Sequence, residues 1–339
     1  MALVRDGRTV LADCIASSVE MHRIYGGVVP EIASRKHIEV IAQLADQALE
    51  QAGLSRGDID AVAVTYAPGL IGAVLVGVSF AKSVAYALGV PLIPVHHVRG
   101  HIAANYLAHP DLEPPFVCLC VSGGTSLLVD VKGYTEMEIL GATRDDAAGE
   151  CFDKIARVMG LGYPGGAPLD RAAQGGNDKA FSLPRVHIQD APLDMSFSGL
   201  KTAMLNLIHN AQQKGEELPV ADLAASFSAA VSEELVPRTM AAAQAKGYGK
   251  VAVVGGVAAN SRIRRDLEQA CQAAGCTLYL PPLKLCGDNG SMIGSQGYYE
   301  YLAGIRAGTD LNAYANREIS RPYGTGTAPV FPSPVEKSV

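Results

Sequence analysis

The sequence predicts an α/β fold with two domains, and three observations lead to that expectation. The chain has 339 residues, 48% of them hydrophobic and 18% charged, which exceeds the size of one typical domain. Short apolar runs of strand length alternate with longer stretches of helical periodicity, as in α/β sheets. Two continuous apolar runs, residues 116–121 and 251–254, are typical of strands buried on both faces, and each leads to a Gly-Gly turn.

The N-terminal part reads as a hairpin, a helix and a strand–helix–strand unit. A turn at Asp6-Gly7 separates two short strands, and Ser34 caps a helix expected over residues 35–52, which Gly53 ends. The apolar run 59–65 and the run 91–95 read as buried strands on either side of a helix that reaches residue 88.

The C-terminal part repeats this alternation, and Glu113-Pro114-Pro115 reads as the linker before it. Helices are expected from about residue 145, from 220 with a kink or break at Pro237, over 261–274, and over 291–306. From about Ala313 onward Pro, Gly, Ser and Thr dominate. We therefore expect domains at 1–115 and 116–312, followed by an extended tail at 313–339.

Composition narrows the function classes and the compartment. A net charge of −6 argues against a protein that coats nucleic acid, although a local basic patch could still contact RNA. Seven cysteines without a C-x-x-C pair fit reduced thiols in a cytoplasmic enzyme. Residues 61–81 carry no charge, but Ala67-Pro68-Gly69 interrupts them, so we expect a strand, a turn and a buried helix rather than a membrane span.

A histidine pair suggests a metal site. His97 and His101 are four residues apart, which stacks two imidazoles on one face if a helix begins there. His96 cannot join at this spacing, because its partner would be Gly100. Two ligands need a third, and Asp288 is the best donor. The alternative is that these histidines are ordinary, partly buried side chains.

Several loops could hold a substrate. Ser122-Gly123-Gly124 and Gly255-Gly256 follow buried strands and expose backbone N–H groups to a phosphate or carboxylate. Asn260 either caps the helix after it or hydrogen-bonds a base or sugar hydroxyl. Asp153 lies off the apolar stripe of its helix, as a ligand contact or as a solvated carboxylate paired with Lys154 or Arg157. Arg262, Arg264 and Arg265 read as a solvated helix face.

Together these stretches resemble the TsaD family over about residues 10–310. The matching segments occur in the family's order: Tyr25-Gly-Gly-Val-Val-Pro-Glu-Ile-Ala-Ser-Arg35, His97-Val-Arg-Gly-His101, Val121-Ser-Gly-Gly124, Asp146-Ala-Ala-Gly-Glu-Cys-Phe-Asp-Lys154, Tyr163-Pro-Gly-Gly166, Ser196-Phe-Ser-Gly-Leu-Lys-Thr202, Gly255-Gly-Val-Ala-Ala-Asn260 and Asp288-Asn-Gly290. So many matches in one order are far more specific than any single one.

The resemblance implies the actin-like ATPase fold, with two related α/β domains around a cleft. It implies transfer of threonylcarbamoyl from threonylcarbamoyl-AMP to adenosine 37 of tRNAs that read codons starting with A. It implies one divalent metal, with iron expected and zinc or magnesium as alternatives. TsaB-like and TsaE-like partner proteins are implied, and no membrane. The implied metal ligands are His97, His101 and Asp288, and the implied substrate contacts are Cys120, Val121, Ser122, Gly123, Gly124, Asp153, Gly166, Asp170 and Asn260.

Two departures from the family pattern leave alternatives open. The family opens with a strand followed by Glu-Thr-Ser-Cys-Asp-Glu-Thr, and Met1 falls just beyond that segment, so the first strand is expected to be missing. Thr125 stands where many relatives have His. The alternatives are therefore a non-catalytic actin-like subunit, an actin-like kinase or chaperone ATPase, and a zinc metallopeptidase. The metallopeptidase is disfavoured because no carboxylate lies between the two histidines.

Overall fold

A hairpin opens the chain in the computed structural model, which describes residues 1–186, 188–321 and 323. Strand β1 (Ala2–Arg5) pairs antiparallel with β2 (Thr9–Asp13). Asp6 and Gly7 turn the chain with φ values of 52° and 67°, a region that glycine adopts without strain. The predicted hairpin and its turn are therefore confirmed.

A short helix, α1 (Val19–Arg23), precedes the long helix α2 (Pro30–Ala52). The expected start of α2 at residue 35 is wrong. Pro30 occupies the first turn, where its fixed φ and missing N–H are tolerated, and the Ser34 hydroxyl donates to the Pro30 carbonyl (2.9 Å) rather than capping the helix. Gly53 ends α2 in the left-handed conformation, as expected.

A parallel β–α–β unit follows and delivers the chain to the histidine pair. Strand β3 (Val62–Ala67) leads through helix α3 (Ile71–Leu88) to the fully buried strand β4 (Leu92–His96), which lies parallel to β3. Helix α4 (His97–Ala108) begins directly at the end of β4. In the described part of the chain, β1–β2 and β3–β4 form two separate two-stranded sheets.

The C-terminal half is built on one five-stranded sheet. It contains β5 (Phe116–Val121), β6 (Ser126–Val131), β7 (Met137–Ala142), β8 (Lys250–Val254) and β9 (Thr277–Tyr279), in the order β7-β6-β5-β8-β9. β5 is parallel to β8, with Cys120 opposite Val254. The carboxyl ends of these two strands therefore meet at one edge of the sheet, which is where ligands bind in open α/β sheets.

Six helices follow in the C-terminal half, of which the last returns to the N-terminal half: α5 (Ala148–Val158), α6 (Gly166–Ala172), α7 (Ser198–Lys214), α8 (Val220–Lys246), α9 (Ser261–Ala274) and α10 (Gly290–Leu302). Helix α8 continues through Pro237, so the break expected there is absent. Leu235 and Thr239 on either side of Pro237 are completely buried, and this packing holds the helix together.

Helix α10 lies against β1, β3, β4 and α4, and small residues let it approach them closely. A Cβ at Gly294 would lie 2.7 Å from Val4, and a Cβ at Gly297 would lie 2.5 Å from Ala63. The chain then returns along the N-terminal half, where the Tyr314 amide donates to the Tyr66 carbonyl (2.9 Å). We call residues 313–321 the C-terminal strap. Residues 322 and 324–339 of the expected tail lie outside the described residues.

Candidate metal and substrate site

His97, His101 and Asp288 form a cluster of three potential metal ligands, with donor atoms within 4.8 Å of one another. Because α4 begins at His97, the two imidazoles share one helical face, with ring centroids 4.6 Å apart. Asp288 Oδ1 lies 3.4 Å from His97 Nε2 and 3.1 Å from His101 Nε2. We refer to these residues as the histidine–aspartate cluster.

The donor atoms in this cluster fit a cation. His101 is buried, its Nδ1 has no hydrogen-bond partner among the described residues, and its Nε2 faces the Asp288 carboxylate. Burial acts to raise the pKa of Asp288, but the neighbouring imidazoles of His101 and His97 outweigh it and hold that pKa well below its usual value. Asn289 caps α10 by accepting from the Met292 amide (2.8 Å), which fixes the adjacent Asp288 at a helix start. Two imidazoles and one carboxylate are a common ligand set for a divalent metal.

The residues next to the two ligand histidines, His96 at the end of β4 and Arg99 on α4, have other partners. His96 Nε2 donates to the Arg317 carbonyl (3.0 Å), and His96 Nδ1 accepts from the Val98 amide (3.3 Å), so both ring nitrogens are satisfied. Burial lowers the pKa of His96 to about 4, so the ring is neutral at pH 7. Arg99, between the two ligand histidines, is buried and paired with Glu300 (2.9 Å). Helix α4 contains no Asp or Glu, so it offers no carboxylate to act as the general base of a metallopeptidase.

The two glycine turns, residues 122–125 and 255–260, lie side by side at the carboxyl ends of β5 and β8. Gly255 has φ 92°, and a Cβ there would overlap the Val121 carbonyl oxygen. Gly149 likewise packs on Ser122, where a Cβ would lie 2.5 Å from the carbonyl oxygen. By contrast, a Cβ at Gly123, Gly124 or Gly256 would meet no atom within 4 Å. The turns therefore combine a closely packed base with an open backbone face.

Cys120 and Val121 can contribute to this face only through their backbones. The Cys120 thiol is buried 3.8 Å from the Cys118 thiol, and the Val121 side chain lies in the core beneath α5 and α8. A buried thiol of this kind is a poor nucleophile.

Asp153 supports a third loop rather than standing in solvent. It accepts a hydrogen bond from the Gly165 amide (2.6 Å), and a Cβ at Gly165 would lie 2.7 Å from the Asp153 Cα. Burial raises the pKa of Asp153, while hydrogen bonds from the Gly165 and Gly166 amides oppose the rise. The alternative of a solvated carboxylate paired with Lys154 or Arg157 is therefore wrong. Asp153 holds the turn from which Gly166 opens α6.

Asp170 and Asn260 meet at the start of α9. Asp170 Oδ1 accepts from both the amide (3.0 Å) and the hydroxyl (2.8 Å) of Ser261. Asp170 and Ser261 line a cavity of about 170 Å³. Asn260 caps α9 by accepting from the Ile263 amide (3.1 Å), as expected. Its buried Nδ2 has no partner among the described residues. A spare buried donor beside a carboxylate suits a ligand with hydroxyl or ring-nitrogen acceptors.

Sequence reasoning missed the residues that hold these parts together. Arg264 is not solvated: it donates to the Ala258 carbonyl (2.6 Å), the Pro281 carbonyl (2.7 Å) and the Cys286 sulfur (3.3 Å), which ties the second glycine turn to the loop before Asp288. Asp145 collects hydrogen bonds from Ser196, Phe197 and Ser198 at the start of α7. In the sequence, only the charge of Arg264 and of Asp145 near Gly-rich segments could have suggested that each holds a loop in place.

Comparison with known proteins agrees with this geometry. The TsaD family profile, described as tRNA N6-adenosine threonylcarbamoyltransferase, matches residues 9–295. The protein of that name from Moorella thermoacetica is 54% identical over 312 residues, covering 92% of this chain and 91% of its own. The one from Clostridium botulinum strain 657 is 51% identical over 318 residues, covering 94% of each chain.

A solved structure shares the fold. T. kodakarensis HypF has a TM-score of 0.57 at 18% identity, covering 78% of this chain and 43% of HypF, and at that identity the likeness concerns the fold alone. The architecture is the actin-like α/β fold that the resemblance implies. With a family profile over most of its length and relatives at about half identity, this chain belongs to the TsaD family of tRNA N6-adenosine threonylcarbamoyltransferases.

Proposed function

We propose that this protein transfers threonylcarbamoyl from threonylcarbamoyl-AMP to N6 of adenosine 37 in tRNAs that read codons starting with A. The observation that carries the proposal is the position of the two glycine turns, whose open backbone faces lie at one sheet edge and are linked by Arg264 to the loop of the histidine–aspartate cluster. A donor made of an anionic phosphate and an activated carbonyl needs such a combination.

The reaction is a direct acyl transfer. The N6 nitrogen forms a bond to the carbamoyl carbon, the bond from that carbon to the phosphate oxygen breaks, AMP leaves with the electron pair, and the amine loses a proton. The amides of Gly123 and Gly124 would orient the phosphate and carbonyl, and Asp170 and Asn260 would bind the nucleoside of the donor. Because the Cys120 thiol is buried, a covalent intermediate on that residue is disfavoured.

We propose that His97, His101 and Asp288 hold one divalent metal, with iron expected and zinc or magnesium as alternatives. Such an ion would supply Lewis acidity next to the anionic donor. The burial of His101 and the shared approach of both Nε2 atoms to Asp288 Oδ1 support this assignment. The protein's own part is to orient the ligands, through α4 for the histidines and the Asn289 cap for the carboxylate.

We also propose that a TsaB-like partner covers an apolar face of the N-terminal half. Helices α2 and α3 pack side by side, and Ile38, Ile71 and Leu75 project outward, with Ile38 64% exposed.

Helix α3 is long and apolar enough to cross a membrane by length and composition alone. Lys82 on α3 nevertheless donates to the carbonyls of Thr309 (3.2 Å) and Leu311 (3.0 Å), which suits a protein-covered helix better. We also propose a TsaE-like ATPase as a second partner. A cytoplasmic location is proposed because all seven cysteines are free thiols.

Reconstitution tests this function. The chain is combined with its partner proteins, threonylcarbamoyl-AMP and unmodified tRNA, and threonylcarbamoyladenosine is measured by mass spectrometry of the digested tRNA. Product is expected with the native chain and not with Asp288→Asn. Absence of product with the native chain would refute the proposal. For the partner surface, Ile38→Asp with Leu75→Asp should abolish co-elution with the TsaB-like protein, whereas Leu302→Asp, a comparably exposed leucine on α10, should not.

A further inference from the structure

A second cavity, of about 620 Å³, opens on the other side of the first glycine turn. Gly124 and Thr125 of that turn line it, together with His96 and Val98, which flank the metal-ligand candidate His97. It therefore borders both parts of the proposed reaction centre. A volume of this size accommodates a ligand as large as a nucleotide.

The donor does not need this space for its nucleoside. Asp170 and Ser261, at the second glycine turn, line the separate cavity of about 170 Å³, and no residue lines both cavities. A transferase that joins two nucleotide substrates needs two binding sites on either side of the reacting atoms. The second cavity has not been assigned a substrate and is therefore available for the acceptor nucleotide.

The walls of the second cavity suit a flat base. Val98 comes from α4 in the N-terminal half, whereas Leu127 and Ile139 come from β6 and β7 of the five-stranded sheet. Apolar surfaces thus face the space from two sides, and Thr125 and Thr143 add hydroxyl groups at its lining. Bases turned out of a nucleic acid are bound between apolar side chains, with polar groups reading their edges.

The C-terminal strap forms one wall of the cavity and is fixed by the end of β4 and by α4, the helix that carries the two histidines. Arg99 donates to the Ile319 carbonyl through Nε (3.1 Å) and Nη2 (2.7 Å), and His96 donates to the Arg317 carbonyl (3.0 Å). Arg99 and His96 are both buried. The wall formed by the strap is therefore preorganised relative to the histidine–aspartate cluster.

The strap also brings positive charge to an otherwise acidic protein. Arg317, Glu318 and Arg321 line the second cavity, and two arginines against one glutamate leave the strap with a net charge of +1. The Arg317 guanidinium lies over the Tyr66 ring (5.4 Å), and Arg321 Nε pairs with Glu318 Oε2 (3.4 Å) through an exposed side chain that keeps its other N–H groups available. Arg317 Nε is buried without a partner among the described residues. Guanidinium groups at the edge of a base-sized cavity are suited to the phosphates on either side of an extruded nucleotide.

We propose that the second cavity receives the acceptor adenosine of the tRNA, with its base between Val98 and Ile139 and its flanking phosphates at Arg317 and Arg321. This inference rests on the proposed transfer reaction and adds the site of the second substrate. It brings N6 to the turn at Gly124, so that the bond between nitrogen and the carbamoyl carbon forms across the first glycine turn.

The test separates the two substrates kinetically. Ile139→Trp places a bulkier ring where the base would lie, and Arg321→Glu reverses an exposed charge without touching the core. The control is Arg185→Glu. Like Arg321, Arg185 is exposed and forms a surface ion pair, in its case with Glu233, but it does not line the second cavity. Ile139→Trp should raise KM for tRNA by about tenfold or more and leave KM for threonylcarbamoyl-AMP within about twofold. Arg321→Glu should raise the dissociation constant for tRNA about threefold and reduce its logarithmic salt slope by about one.

The outcomes distinguish this inference from the proposed function. Loss of transfer by the native chain would refute the function itself. If the native chain is active but Ile139→Trp raises KM for the donor and not for tRNA, the cavity holds the threonyl end of the donor and the inference is wrong. Unchanged constants for both substrates would also overturn it. As a direct check, a stem–loop RNA with photoreactive 4-thiouridine beside the acceptor adenosine should crosslink to the strap or to β7, and crosslinks confined to α9 would contradict the assignment.

Discussion

The histidine–aspartate cluster and the second glycine turn are joined through Arg264, but the cluster and the two turns are built in opposite ways. The cluster relies on three side chains, and Asp288 is held there by its approach to the two imidazoles, at 3.4 Å and 3.1 Å. The turns rely on backbone, and their glycines are packed against neighbouring backbone on one face and open on the other. A substitution in the cluster should therefore remove chemistry and leave the fold, whereas a substitution in the turns should affect folding or binding according to which face it meets.

The largest expected effect is in the cluster. Asp288→Asn and His101→Ala each remove one of three ligands, so bound metal should fall from about one per chain to near zero and kcat by on the order of 100-fold or more. Metal is measured by inductively coupled plasma mass spectrometry and stability by thermal unfolding, which should change little for Asp288→Asn. His209→Ala, at an exposed histidine on α7, is the control. A variant of Asp288 that keeps a stoichiometric metal would contradict the assignment.

The next effect is on folding and belongs to the packed face of the turns. Gly255→Ala puts a Cβ onto the Val121 carbonyl at φ 92°, so the free energy of unfolding should fall by about 2–4 kcal/mol. The adjacent Gly256→Ala meets no atom within 4 Å and should change stability by less than about 1 kcal/mol. Urea denaturation of both variants measures the difference. Equal stabilities would show that the two turns are not packed as described.

These contrasts also show what could be predicted from the sequence. The imidazole pair and the glycine turns depend on local geometry: a helix that starts at His97, and strands that end in Gly-Gly. The cap at Asn260 is local in the same way. The roles of Arg264 and the strap depend on partners distant in the chain, as when Arg99 binds the Ile319 carbonyl, 220 residues away. The composition of residues 313–321 indicated only a tail. Ile319 is buried there, but a single buried isoleucine produces no helical or strand periodicity in the sequence.

A smaller effect is expected on the open face of the turns. Gly123→Ala meets no atom within 4 Å, so the fold should tolerate it, but its methyl group would stand where the donor phosphate must approach the amides. KM for threonylcarbamoyl-AMP should rise about tenfold, with KM for tRNA nearly unchanged. Gly249→Ala is the matched control, because it is equally open but lies at the opposite end of β8. Equal constants for the two variants would argue against donor binding at residues 122–124.

The smallest effect concerns Asp145, which supports the first glycine turn indirectly, because the loop at 145–149 packs on Ser122. Burial acts to raise its pKa, but the Ser196 and Ser198 hydroxyls and the Phe197 and Ser198 amides lower that pKa to about 2. The folded pKa is below the unfolded value near 4, so the carboxylate contributes stability above about pH 4 and loses it as the pH falls towards 2. With its solvent exposure, this amounts to about 1 kcal/mol. Asp145→Asn should therefore be less stable than the native chain at pH 7, and urea titrations should show the deficit shrinking below pH 4. A deficit that does not depend on pH would mean that Asp145 acts through shape and not through charge.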